Sequence, residues 1–155
     1  MRSFVLSAAG LLLALTASPA AAQRLDPLVT TGSTAGSAAG ILGGAALGLW
    51  TADQFGWDCC GDDPGLPAAI IGSLAGSLLG TAVGGELAAQ FRPAHRGRFG
   101  QRLVGATAGV LVGGLAAGLV DQVFGTESPG PLIIAFSVGQ GITSALFAGS
   151  PRPGR

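Results

Sequence analysis

The stretch at 36–55, "GSAAGILGGAALGLWTADQF", places glycine at every fourth position over most of its length. Residues four apart lie above one another on one face of an α-helix. The two-residue alternation that indicates a β-strand is absent. Because a glycine costs a water-exposed helix about 1 kcal/mol relative to alanine, such a row predicts a helix whose bare face packs against a neighbour.

The same pattern occurs in two further stretches of twenty residues. "GSLAGSLLGTAVGGELAAQF" occupies 72–91 and "GATAGVLVGGLAAGLVDQVF" occupies 105–124, and each copy begins with Gly and ends with Phe. A recurring period of this kind indicates one supersecondary unit used several times. The glycines predicted to make helix–helix contacts are Gly36, Gly40, Gly44, Gly48, Gly72, Gly76, Gly80, Gly84, Gly105, Gly109 and Gly113.

A fourth segment at 132–148 continues the four-residue spacing with Ser137, Gly141, Ala145 and Gly149, and we interpret it as a diverged copy. Short links containing Gly and Pro separate the segments, and short links favour antiparallel neighbours. The predicted fold is all-α, a compact bundle of about four glycine-rich apolar helices in antiparallel hairpins. The expected helices cover about 31–54, 66–91, 100–124 and 131–148 of a domain at 31–149.

The composition indicates a membrane environment. Hydrophobic residues make up 48% and charged residues 10% of the 155 residues, where a soluble domain has about 25% charged. The uncharged apolar runs have 18 to 20 residues and cover 34–52, 66–85, 103–120 and 131–149. As helices they would span roughly 27–30 Å, near the thickness of the hydrocarbon core. Membrane lipid is therefore the expected partner, and a net charge of zero gives no reason to expect nucleic acid. A soluble bundle with a small-residue core is the alternative.

The N-terminus has the features of a secretion signal at 1–22. Arg2 precedes the apolar run Phe4–Leu15, and Ala20 and Ala22 are placed for cleavage before Gln23. A retained membrane anchor is the alternative. A short polar leader is expected at 23–30, and a flexible tail at 150–155.

The charge distribution conflicts with a simple inner-membrane topology. Arg92, Arg96, Arg98 and Arg102 surround the second link, so the positive-inside rule would place that link in the cytoplasm. Four spans then require the N-terminus on the same side, whereas a cleaved signal places it outside. Either one segment does not span, or the signal is not used, or the protein resides elsewhere in the envelope. We favour the last of these, with the bacterial outer membrane preferred over the inner membrane for an exported protein.

The first link contains the only two cysteines of the chain, Cys59 and Cys60. Outside the cytoplasm they could be oxidised, and a disulfide between two copies of the protein is more natural than a strained ring between neighbours. Two unpaired thiols are the alternative. The surrounding "DCCGDD" lacks the spacing of a zinc or calcium site, so no metal is expected. His95, the single histidine, is expected to be a solvated loop residue.

Three charged residues are the remaining candidates for chemistry. Glu86 and Asp121 lie near the ends of their predicted helices, where they could reach the membrane surface or cap a link. Alternatively, Glu86 could meet Arg102 across antiparallel helices. No catalytic, phosphate-binding or dinucleotide-binding motif is present, so no enzymatic activity and no cofactor are expected.

The three glycine rows resemble those of glycine-zipper proteins of the bacterial envelope. The resemblance covers the helices and not the links, and this chain has more copies and no lipidation cysteine. It implies an envelope-associated, non-enzymatic structural protein that self-associates as a homo-oligomer through its glycine faces. The alternative is a small pore or transporter in which Glu86, Asp121 and Arg102 line a path.

Overall fold

The computed structural model of the protein describes residues 25–55, 65–92, 98–125 and 128–149. Within these ranges the chain forms four α-helices and no strand, so the predicted all-α fold is confirmed. The helices are α1 (Pro27–Phe55), α2 (Gly65–Ala89), α3 (Phe99–Phe124) and α4 (Pro129–Ala148).

Helix α1 begins four residues before its expected start at 31, so residues 27–30 belong to the helix and not to a polar leader. The reason is a local N-cap. A carboxylate oxygen of Asp26 accepts hydrogen bonds from the backbone N–H groups of Leu28 (2.9 Å) and Val29 (3.4 Å), and Pro27 occupies the first helical position, where its missing N–H is not needed. Helix α2 ends at Ala89, two residues before its expected end.

The helices pair as two antiparallel hairpins, α1–α2 and α3–α4, which make the most extensive contacts in the bundle. The hairpins meet chiefly through α1 and α4, with smaller contacts of α2 against α3 and α4. The start of α1, the end of α2, the start of α3 and the end of α4 share one end of the bundle. We call it the basic end, because it carries Arg92, Arg98 and Arg102. The opposite, acidic end carries Asp53 and Asp121.

The bundle has small residues inside and large apolar residues outside. Eight hydrophobic residues are buried in the described ranges; seven of them are alanines, and Val29 is the largest. By contrast, Leu111 is 74% exposed and Leu47 is 64% exposed. This distribution opposes the soluble-bundle alternative, because a large exposed apolar surface marks contact with a membrane or a partner. All four helices are long and apolar enough to cross a membrane, in agreement with the membrane domain predicted from the sequence.

Several predictions concern residues outside the described ranges. They are the signal peptide at 1–22, the cysteine pair Cys59 and Cys60, His95 and the tail at 150–155.

Candidate functional site

The α1–α2 hairpin is held by direct contact between backbones. A Cβ added at Gly36, Gly40 or Gly44 would collide with the carbonyl oxygen of Gly80, Gly76 or Gly72 respectively. The partner numbers fall by four as the α1 numbers rise by four, so the two glycine rows are in antiparallel register. We call this contact the glycine seam. Its members are Gly32, Gly36, Gly40, Gly44 and Gly48 of α1 with Ala68, Gly72, Gly76, Gly80 and Gly84 of α2.

The α3–α4 hairpin has a row of glycines on α3 and a single glycine opposite it among the described residues of α4, Gly139, where a Cβ would lie 2.9 Å from the Cα of Gly113. A Cβ added at Gly105 would lie 2.8 Å from the Cα of Ser144, and one at Gly109 would lie 2.8 Å from the Cα of Gln140. One added at Gly113 would lie 2.5 Å from the carbonyl oxygen of Phe136. The glycines of α3 therefore accommodate residues with side chains on α4. All eleven glycines singled out in the sequence lie at contacts between helices of the same chain.

Helix α4 contacts two neighbours, α3 and α1, through different residues. Phe136, Gln140 and Ser144, one position before the column of small residues expected on α4, face α3. Gly141 instead faces α1, where a Cβ would lie 2.9 Å from the backbone nitrogen of Thr34. The fourth segment is thus helical, but Gly141 of its four-residue column faces α1 and not α3.

Gln140 is a fully buried side chain at the meeting point of all four helices. Its Oε1 accepts hydrogen bonds from Ser37 Oγ of α1 (2.6 Å) and Thr81 Oγ1 of α2 (3.0 Å). Its Nε2 donates to the carbonyl oxygen of Ala106 of α3 (3.1 Å) and to Ser77 Oγ of α2 (3.5 Å). Thr81 Oγ1 also lies 2.6 Å from the carbonyl oxygen of Ser77, so its single hydroxyl hydrogen is shared between that carbonyl and Gln140. Through these contacts one residue joins the two hairpins.

Other buried polar residues extend from Gln140 along the bundle axis. Ser144 Oγ donates to the carbonyl oxygen of Arg102 (3.1 Å). Ser33 Oγ and Ser137 Oγ are buried and find no hydrogen-bond partner among the described residues. We call the whole set the polar core. It consists of Ser33, Ser37, Ser77, Thr81, Arg102, Ser137, Gln140 and Ser144.

At the basic end, Glu86 of α2 and Arg102 of α3 form an ion pair. Arg102 Nε lies 3.2 Å from Glu86 Oε2, and the arginine side chain is fully buried whereas the glutamate side chain is 27% exposed. The sequence-based alternative that Glu86 meets Arg102 is thereby confirmed. An arginine inside a membrane bundle is stabilised by such a partner because an unpaired charge at that depth is expensive.

Two more contacts fasten the same end. Arg92 Nε lies 3.0 Å from Asp26 Oδ2, which ties the end of α2 to the start of α1. Arg98 donates from Nη1 to the carbonyl oxygen of Ala148, which ties the start of α3 to the end of α4. Both hairpins are therefore closed by an arginine at the basic end.

Asp121 does not join the Glu86–Arg102 pair. It lies on α3 nineteen residues after Arg102, a separation of roughly 28 Å along a helix, and it is exposed at the acidic end. The three charged residues proposed to line one path thus occupy opposite ends of the bundle.

An apolar cleft of about 370 Å³ separates the hairpins between the polar core and the acidic end. Ser77, which contacts Gln140, is one of its lining residues. We call it the interhairpin cleft. Its apolar walls include Ile41, Ile70, Leu74, Ala117, Leu132 and Phe136.

Sequence reasoning missed Gln140, although a signal for it exists. Gln140 is the most polar side chain in the uncharged run 131–149, and a polar side chain at membrane depth commonly forms a hydrogen bond with a neighbouring helix. Ser37, Ser77 and Thr81 are likewise polar residues within apolar helices. The glycine rows alone do not identify them.

In the described ranges, no group of three or more His, Cys, Asp or Glu side chains is placed to hold a metal ion. Comparisons of the chain with family models, curated proteins and solved structures found no match.

Proposed function

We propose that the protein is a non-enzymatic structural protein of the bacterial envelope whose glycine rows hold its membrane helices together. The observation that carries the proposal is the glycine seam inside an exterior of large apolar side chains. In lipid, helices are brought together by close van der Waals packing and hydrogen bonds, since lipid tails are as apolar as leucine. Small residues four apart permit that approach.

The proposed self-association has to use other glycines than those of the seam, since these are already covered by the partner helix. Gly114 and Gly118 of α3 are four residues apart, and a Cβ added at either would meet nothing within 4 Å among the described atoms. Both residues are exposed. We therefore propose that a homo-oligomer forms through this open face of α3, with membrane lipid covering the rest of the exterior.

Comparison of two double variants tests this function. Gly114→Leu with Gly118→Leu is expected to abolish oligomers measured by light scattering in detergent, while the thermal stability of the monomer stays unchanged. Gly76→Leu with Gly109→Leu is expected to destabilise the bundle itself. An oligomer that survives the first double variant, or a wild-type protein that is a monomer at every concentration, would exclude self-association through α3.

For location, we propose export by the signal at 1–22 followed by residence in the outer membrane. The uncharged runs suit a thin membrane, and the basic end would conflict with a cleaved signal in the inner membrane. Fractionation of a C-terminally tagged protein is expected to place it with outer-membrane markers, beginning at Gln23. Recovery of the protein with inner-membrane markers would overturn the proposed location but would not contradict the proposed structural role.

A second candidate function is a small pore or transporter, and the polar core is the observation that favours it. Buried hydroxyls extend from the Glu86–Arg102 pair to Ser77 at the interhairpin cleft, and polar groups within a membrane commonly mark substrate pathways. Solute flux in liposomes that falls in Gln140→Leu would support this function. Vesicles that stay sealed to ions and small polyols at high protein density would exclude it.

A further inference from the structure

The interhairpin cleft has the shape and surroundings of a lipid-binding site. Gln140 and the Glu86–Arg102 pair fasten the hairpins in the middle and at the basic end, and the cleft lies beyond them, toward the acidic end. On the α2 wall, Ile70 is 51% exposed and Leu74 is 42% exposed, so the cleft opens at the side of the bundle. We propose that it binds one acyl chain of a lipid whose headgroup carries an amine.

The lining of the cleft favours an acyl chain. The cleft is about 370 Å³ in volume, and its lining residues are apolar except for Ser73 and Ser77. A linear hydrocarbon chain fits the volume, and it restores the dispersion contacts that the separated walls lack. The inference rests on the membrane location proposed above, in which four helices long enough to span a membrane turn the side opening toward hydrocarbon.

The charges at the acidic end favour an amine-bearing headgroup. Asp121 lies one helical turn beyond Ala117, which lines the cleft, and on the same side of α3. Asp53 lies at the same end, on α1. No basic residue occurs in the sequence between 25 and 91 or between 103 and 151. An anionic headgroup would be repelled at this end, and an amine attracted.

Lipid retention measured by native mass spectrometry tests the proposal. The full mature chain is released from nanodiscs containing equal amounts of phosphatidylethanolamine and phosphatidylglycerol with identical acyl chains. We expect one retained lipid and a roughly fivefold preference for the ethanolamine lipid, the ratio that about one favourable surface charge contact provides. Asp121→Asn is expected to reduce the preference, and Asp26→Asn at the basic end serves as its matched control.

Filling the cleft should remove the lipid. Ala117→Phe from α3 and Ser73→Phe from α2 both project into the cleft, and each is expected to abolish retention. Ala116→Phe is the matched control, since Ala116 does not line the cleft. Circular dichroism confirms that each variant is folded. Two variants on opposite walls are used so that the test remains valid if one of them does not fold.

Three outcomes would overturn the proposal. Absence of a retained lipid in the wild type, or equal retention in folded cleft-filled variants, would show that the cleft is not the site. Equal retention of the two lipids would reject the amine-bearing headgroup. None of these outcomes bears on the oligomer test at Gly114 and Gly118, so failure of the lipid site and failure of the structural function are distinguishable.

Discussion

The two hairpins share a glycine row on one helix and differ in what faces it. In α1–α2, Gly40 faces Gly76, so backbone lies directly on backbone. In α3–α4, Gly109 faces Gln140, whose side chain then reaches the other hairpin. The first arrangement gives the closest possible contact, and the second gives up some closeness for hydrogen bonds between hairpins. The same row of glycines thus serves to close one helix pair and to admit a polar side chain into the other.

Substitution of a glycine by alanine should give the largest difference in stability between the two hairpins. Gly40→Ala places its Cβ against the carbonyl oxygen of Gly76, and we expect a loss of about 3 kcal/mol, the upper part of the range for overpacking. Gly109→Ala meets the Cα of Gln140 at 2.8 Å, and we expect a smaller loss of about 1–2 kcal/mol. Unfolding by a denaturing detergent in mixed micelles measures both. Equal losses would mean that the two hairpins pack alike.

The ion pairs at the basic end provide the next comparison. Glu86→Gln leaves the fully buried Arg102 without its charged partner, and we expect a loss of about 2 kcal/mol, less than for two fully buried charges because Glu86 is partly exposed. Asp26→Asn removes a partner of Arg92, whose side chain is 54% exposed, so its loss should stay below about 1 kcal/mol. If both variants lose the same amount in the same unfolding assay, burial of Arg102 has no energetic consequence.

Much of the fold follows from the glycine rows. Four-residue spacing in Gly36–Gly48 and again in Gly72–Gly84 specifies helices with a bare face, and a short link brings such faces together in antiparallel register. The pairing of Glu86 with Arg102 can also be predicted from the sequence, because antiparallel α2 and α3 bring these positions to one end of the bundle. The spacing of residues along the sequence is therefore enough to predict contacts between consecutive helices.

Contacts between distant helices could not be predicted in the same way. Gln140 and Ser37 are 103 positions apart, and neither is one of the repeated glycine positions. Which side of α4 faces α3 depends on the competing contact of Gly141 with Thr34 of α1, and a one-residue difference on a helix turns the contact by about 100°. The interhairpin cleft depends in turn on where the two hairpins stop touching, which no local pattern encodes.

The role of Gln140 between the hairpins gives a third prediction. Gln140→Leu removes the bonds to Ser37, Thr81, Ser77 and Ala106, and we expect a loss of about 1–2 kcal/mol. Because each hairpin keeps its own glycine contacts, the change should separate the hairpins without opening either one. Spin labels at exposed positions of α2 and α3 are expected to show a broader distance distribution, whereas labels on α1 and α2 keep theirs. Broadening of both distributions would contradict the division into two hairpins.

The smallest expected effect has the opposite sign and concerns a glycine next to the seam. Gly43 lies three residues after Gly40 and is not part of the seam. A Cβ added at Gly43 would meet nothing within 4 Å among the described residues. Gly43→Ala should therefore recover only the helix propensity of alanine and stabilise the bundle by up to about 1 kcal/mol, whereas Gly40→Ala destabilises it. The two positions lie within one helical turn and about 60° apart around the axis of α1, so their unfolding curves compare the same chemical change inside and outside the seam. A loss at Gly43 comparable to that at Gly40 would show that glycine is also required outside the seam, and that the seam is not what the glycine row serves.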